Sequence, residues 1–185
     1  MSNIVVILSP TNEGSEVRMK ETQDAADQVG QIDLRIVDSE QPLEDVAEQC
    51  QGAVVVVPHG KYDELTELAE KISTLKLIQT PSAGTDWIDK AALAELGVDV
   101  ANNGGANAVA VAEHAIGLMF STNRKLDVQI ESVKQGTWMA GVEGDRTEFH
   151  TLVGKRIGII GLGRIGSRVA KRLAGWECEL VYLSL

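Results

Sequence analysis

Residues 155–173 read KRIGIIGLGRIGSRVAKRL, and this stretch decides the fold. The β-branched run 157–160 leads straight into Gly161-Leu162-Gly163-Arg164-Ile165-Gly166. Apolar residues at Ile165, Val169 and Leu173 then carry helical spacing out of the turn, and residues 179–183 follow as a second strand. A GxGxxG alone is weak evidence because glycine is common; set between a strand and a helix in a β-α-β unit, it is a dinucleotide-binding fingerprint. Each glycine has a task. Gly161 lets the strand turn sharply, Gly163 lets the backbone approach a pyrophosphate, and Gly166 lets the helix pack close to the strand. The helix N-terminus adds unpaired N–H groups and a partial positive charge for the phosphates, and Arg164 at the tip adds a charge-assisted contact.

A dinucleotide site usually carries Asp or Glu about 20 residues further on, bound to the adenosine ribose. That place falls at Ser184, which bonds a ribose weakly and does not repel a 2′-phosphate, so NAD and NADP both stay open.

Upstream, strand-like and helix-like segments alternate. Residues 3–8, 33–37, 53–57, 75–80 and 98–101 read as strands; 16–29, 43–50, 62–72 and 88–96 read as helices. This rhythm predicts a parallel sheet covered on both faces, a flavodoxin-like or Rossmann-like layer over residues 1–104. Residues 107–135 read as one long helix, apolar nearly all round in its first half and therefore expected to be buried, and amphipathic in its second. Residues 136–155, with Gly136, Gly141, Gly144 and Gly154, read as a loop. A second α/β unit then opens at 156–185 with a single β-α-β. Two parallel strands cannot bury both their faces, so the chain is expected to be the front portion of a longer protein.

Composition narrows the class. Aromatics at 4% leave the core to aliphatic residues, which suits buried parallel strands. The net charge of −10 argues against a general affinity for nucleic acid, and the acidity spread over the helices reads as solubility. Cys50 and Cys178 stand in unrelated settings without metal or disulfide spacing and read as small buried hydrophobes in a reducing cytoplasm. MSNIVVILSP lacks the basic start and apolar length of a signal peptide, and no stretch approaches the ~20 apolar residues of a membrane span.

With these pieces in order, the chain resembles the D-isomer-specific 2-hydroxyacid dehydrogenases. The resemblance rests on KLIQTPSAGTDWID, GVDVANNGGANAVAVAEHAIGLM, GTW at 136–138 and LVGKRIGIIGLGRIGSRVAKRLAGW, covering about residues 75–182. It implies a flavodoxin-like substrate domain followed by the start of an NAD(P)-binding Rossmann domain. It also implies hydride transfer between nicotinamide and a 2-hydroxy or 2-oxo acid, and a cytoplasmic homodimer built through residues 107–135. Ser82, Ala83 and Gly84 match the family's loop whose backbone N–H groups hold the substrate carboxylate. Gly161, Leu162, Gly163, Arg164, Ile165 and Gly166 match its cofactor turn, and Ser184 stands where most relatives have Asp. Phosphite-oxidising relatives carry Lys where this chain has Ala83, which counts against phosphite.

The family's catalytic Arg, Glu and His have no counterpart here and are expected beyond Leu185, so the chain by itself is expected to be inactive. Glu113 and His114 are adjacent, but helix neighbours point about 100° apart and cannot pair face to face; they read as structural. Lys61, near His59 at a strand end, offers a charge to an anionic substrate, although a solvated loop charge is the plainer reading. His150 and Arg146 have no motif around them, and Trp87, Trp138 and Trp176 read as packing residues. No metal site is expected. Two alternatives stay open: a non-catalytic NAD(P)-binding regulator, and an oligomerisation protein of the same fold.

Overall fold

The computed structural model describes residues 3–10, 15–137 and 149–184. Trp138, Gly141, Gly144 and Arg146, singled out above, lie outside them. The chain divides into two compact units, Met1–Gly104 and Gly105–Leu185.

The first unit alternates strand and helix: β1 (Asn3–Ser9), α1 (Ser15–Val29), β2 (Ile32–Asp38), α2 (Leu43–Gln49), β3 (Ala53–Pro58), α3 (Leu65–Lys71), β4 (Leu77–Gln79), α4 (Lys90–Glu95) and β5 (Asp99–Ala101). The five strands are all parallel in the order β2-β1-β3-β4-β5. That is the flavodoxin-like order, in which strand order reverses between β1 and β3. The core is aliphatic: Val6, Leu8, Val56 and Ile78 from the strands meet Val46, Leu65, Leu68 and Leu93 from the helices. Trp87 packs against the edge of this core, in keeping with its reading as a packing residue.

Local signals explain most boundaries. Asp89 caps α4, its side chain accepting from the Ala92 N–H at 3.0 Å. Gly97, at φ +73°, lets the chain leave α4 toward β5. Helix α3 begins later than the apolar spacing suggested. Tyr62 lies before it, buried with its ring in the core.

The second unit holds α5 (Ala108–Arg124), α6 (Leu126–Lys134), β6 (Arg156–Ile160), α7 (Gly166–Leu173) and β7 (Glu179–Leu183). Strands β6 and β7 pair in parallel, with Arg156 opposite Glu179 and Ile160 opposite Leu183. Helix α5 packs on α7, and Ala112, Ile116, Leu152, Val169 and Leu173 form a second, smaller core. Trp176 stacks on Phe120, ring centroids 4.6 Å apart, which fits a packing role.

Two expectations are corrected here. The helix over 107–135 is two helices, because Lys125 takes a left-handed conformation (φ 45°, ψ 50°) that ends α5 and starts α6. No Gly or Pro marks this break. The apolar first half is also not buried all round. Ala108, Ala112 and Ile116 are buried, whereas Val109, Val111 and Leu118 stand in solvent. An apolar helix buries only the faces that find a neighbour, and within this unit one face does. The two-stranded sheet behaves as its size requires: Ile157, Ile159 and Leu180 pack against the second core, while Ile160, at 84% exposure, and Val181 and Leu183 lie open on the other side. Among the described residues no helix is long and apolar enough to cross a membrane.

Candidate cofactor turn and carboxylate loop

The turn after β6 has the geometry that its glycines were assigned. Gly161 sits at φ +88°, a conformation that L side chains rarely adopt. A Cβ on Gly166 would lie 2.1 Å from the carbonyl oxygen of Gly161, so α7 starts in backbone contact with the end of the strand. Gly163 differs from Gly166: a Cβ there, as on Gly161, would meet nothing within 4 Å, and unlike Gly161 it has no positive φ. Its surface is therefore open to an incoming group, the fit that a pyrophosphate needs.

Neighbouring residues complete the turn. Arg164, Ile165 and Gly163 are exposed and Leu162 is half-buried. The stem of Arg164 lies against the backbone of Gly105, where a Cβ would come 2.7 Å from Arg164 Cδ. The Gly161 N–H donates to the Leu183 carbonyl at 2.7 Å, which ties the end of β7 to the turn. Ser184 follows directly and is exposed, so the structure brings it beside the glycines.

In the first unit, Ser82, Ala83 and Gly84 form an exposed loop past the C-terminal end of β4. Ligands of parallel α/β sheets bind outside the carboxyl ends of the strands. The loop is held through its carbonyls. Thr80 Oγ1 donates to the Ser82 carbonyl at 2.8 Å, and the Asn103 N–H donates to the same oxygen at 3.1 Å. Asn102 Nδ2 donates to the Ala83 carbonyl at 2.8 Å, and Ser82 Oγ donates to the Gly84 carbonyl at 3.4 Å. A trans peptide points its N–H opposite its C=O. With the Ser82 and Ala83 carbonyls tied to these neighbours, the Ala83 and Gly84 N–H groups are aimed the other way, as an anion-binding loop requires. Sequence reasoning missed Thr80, Asn102 and Asn103. Thr80 is fully buried at a strand end, and a buried hydroxyl there is a sign that a neighbouring loop is being held.

The other singled-out polar residues have structural partners. Glu113 pairs with Arg172 at 2.8 Å, while the imidazole of its neighbour His114 is exposed. Lys61 pairs with Asp63 at 2.5 Å, as a solvated loop charge does. His150 donates its backbone N–H to the Asn123 carbonyl. Cys50 is buried and its thiol is pushed up to about 11, chiefly by loss of hydration, so it is inert near neutral pH. Cys178 is half-buried, less enclosed than expected, and both thiols are free. No group of three His, Cys, Asp or Glu among the described residues is placed to hold a metal ion.

A parallel α/β layer in the 2-1-3-4-5 order, followed by a β-α-β unit with a strand-turn-helix glycine fingerprint, defines a dinucleotide-binding class of two-unit α/β proteins. Within that class, residues 5–171 match the family described as D-isomer specific 2-hydroxyacid dehydrogenase, catalytic domain, and the chain belongs to that family. It is 38% identical over 131 residues to a D-3-phosphoglycerate dehydrogenase of Archaeoglobus fulgidus, covering 70% of this chain and 23% of that protein. It is 37% identical over 135 residues to a glyoxylate/hydroxypyruvate reductase of Arabidopsis thaliana, covering 73% and 41%. Among solved structures, the NAD-dependent formate dehydrogenase of Staphylococcus aureus in complex with NAD superimposes with a TM-score of 0.75 at 28% identity, covering 98% of this chain and 56% of that one. The chain thus spans about half or less of the length of these relatives.

Proposed function

We propose that this chain carries the cofactor turn and the substrate-carboxylate loop of an NAD(P)-dependent D-2-hydroxyacid dehydrogenase. The observation that carries the proposal is the division of labour at the turn: Gly166 jammed against Gly161, and Gly163 open to solvent. A bound nicotinamide supplies the hydride acceptor or donor. The residues of this chain bind and orient. Gly163 and the first N–H groups of α7 face the pyrophosphate, Arg164 adds charge, and Ser184 meets the adenosine ribose. The likeness to the NAD-dependent formate dehydrogenase of Staphylococcus aureus, solved in complex with NAD, supports the cofactor class. Serine at 184 leaves NAD and NADP both acceptable. The Ala83 and Gly84 N–H groups hold the carboxylate of a 2-hydroxy or 2-oxo acid.

Among the described residues the proton-transfer half of the reaction has no candidate. Glu113, the carboxylate next to a histidine, is engaged by Arg172. We therefore assign the 185 residues a binding role and expect no turnover from them alone. The exposed apolar residues of α5 and α6, among them Leu118, Ile130 and Val133, support a homodimer through this region. Two free thiols in unrelated settings suit the cytoplasm.

Titration of the purified chain with NAD and NADP by calorimetry tests the central assignment. Saturable binding is expected, weakened at least tenfold in Gly163→Val, whose added side chain projects into open space and spares the fold. Equal affinity in that variant would refute the pyrophosphate site. A chain that binds the dinucleotide but stays inert toward 2-oxo acids when completed by the remainder of a relative's cofactor domain would instead favour a regulator of the same fold.

A further inference from the structure

The chain's charge is unevenly distributed. Residues 1–104 hold nineteen carboxylates against seven Lys and Arg, while residues 105–185 hold ten Lys and Arg against eight carboxylates. Four of those ten cations stand on or just before α7: Arg164, Arg168, Lys171 and Arg172. Their spacing places them on one face of the helix. Beside that face runs a groove of 690 Å³ lined by Val109 from α5 and by Ser167, Arg168, Lys171 and Arg172 from α7.

The helix dipole accounts for part of this arrangement. Lys171 and Arg172 occupy the last turn of α7, where cations are favoured. Arg168 does not fit that account, since it lies in the first turn, where the dipole opposes a positive charge. Nor do ion pairs use up the charge. Glu113 engages Arg172, and Arg168 Nη1 donates to the Arg164 carbonyl at 2.6 Å. Among the described residues Arg168 and Lys171 have no carboxylate partner. Arg168 and Lys171, with the Glu113-paired Arg172 and with Ser167, whose hydroxyl donates to the Gly163 carbonyl at 2.7 Å, border a concavity of small-molecule size with one apolar wall.

We propose that this groove binds a small phosphate-bearing polyanion, separately from any dinucleotide at the glycine turn. Arg168 to Arg172 spans ~6 Å along the helix axis, so linked phosphates engage Arg168 and Lys171 together. Val109 takes an apolar portion of the ligand. The chain's overall charge of −10 opposes an extended nucleic acid, while a compact ligand meets only the local positive field.

The test is a titration of the ¹⁵N-labelled full chain with sodium tripolyphosphate, followed by amide shifts. Saturable shifts are expected at Val109, Ser167, Arg168 and Lys171, with affinity falling at least tenfold in Arg168→Gln/Lys171→Gln. Lys171→Gln alone, at an exposed position, is expected to weaken binding about threefold and guards against a folding defect in the pair. The proposal is overturned by the absence of saturable shifts, by shifts confined to residues 161–166, or by unchanged affinity in the double variant. Salt-sensitive self-association without tripolyphosphate shifts also overturns it, and would assign the basic face to the acidic first unit of a second copy.

Discussion

The α-carbon of Gly166 faces the carbonyl oxygen of Gly161 so closely that a Cβ on it would lie 2.1 Å away. The obstacle is backbone, which no rotamer change relieves. Gly166→Ala must push α7 off the end of β6, and overpacking of this kind costs about 1–3 kcal/mol or more. The second unit has a small core, so the loss is expected to show as a lower melting temperature with selective loss of amide protection in residues 156–183. Gly163→Ala meets open space and is expected to melt like the parent. The pair separates fold from function at one turn: the first variant loses structure, the second loses only dinucleotide affinity. Equal melting temperatures for both would contradict the packing.

Lys125 offers a test of backbone strain. Its φ of 45° costs an L-residue about 1 kcal/mol. Lys125→Gly removes that cost while adding chain entropy to the unfolded state, so a net gain of about 0.5 kcal/mol in urea denaturation is expected. Lys125→Ile, β-branched, is expected to lose at least as much. If glycine were the worse of the two, the left-handed break between α5 and α6 would be wrong.

How much of this was legible in the sequence depends on how local each cause is. Strand β6 and its turn could be read because the β-branched run, the glycines and the helical spacing at Val169 and Leu173 lie within a few residues of one another. The break at Lys125 could not, because nothing in its side chain demands positive φ; the neighbouring turns impose it. The exposure of Val109 and Leu118 was misjudged for another reason. Composition tells how apolar a helix is, and packing partners decide which of its faces are covered. The support of the carboxylate loop was hidden by separation along the chain. Asn102 reaches Ala83 across nineteen positions, a pairing that only the parallel register of β4 and β5 creates.

That support is itself testable. Thr80→Val keeps the shape of a fully buried side chain and deletes its bond to the Ser82 carbonyl. A cost of about 1 kcal/mol is expected, since one part-buried hydrogen bond is lost while the Ser82 carbonyl keeps the Asn103 N–H. Asn102→Ala frees the Ala83 carbonyl at an exposed position and is expected to cost under 1 kcal/mol of stability. Its larger effect is on order in the loop, read as broadened amide signals for Ala83 and Gly84. Unbroadened signals in Asn102→Ala would show that the loop holds itself.

Tyr62 carries the one buried side-chain polar atom among the described residues that lacks a hydrogen-bond partner. Its ring contributes to the core of the first unit, while its hydroxyl forfeits hydration without compensation. Tyr62→Phe keeps the ring and discards the cost, so stability is expected to stay level or rise by about 1 kcal/mol. Tyr62→Ala is expected to lose about 3–5 kcal/mol through the cavity it leaves. A destabilising Tyr62→Phe would mean that the hydroxyl has found a partner in solution.

The same corner of the core sets an alkaline limit on stability. The Cys50 thiol is pushed from 9.0 to about 11 because burial penalises the thiolate more than nearby Arg35 favours it. Burial raises Tyr62 as well, assisted by the charges of Glu64, Cys50 and Glu67. In the unfolded chain Cys50 releases its proton near pH 9, whereas the folded protein keeps it until about pH 11. Between those values the unfolded state binds fewer protons, so the contribution of Cys50, complete below pH 9, drains away as pH rises. The slope approaches ~1.4 kcal/mol per pH unit for one group. Urea melts at pH 8, 9, 10 and 11 are expected to fall along that slope, and Cys50→Ala is expected to flatten the span from 9 to 10, leaving the tyrosine's share above it. A parent profile level from pH 8 to 11 would place the thiol in water instead of in the core.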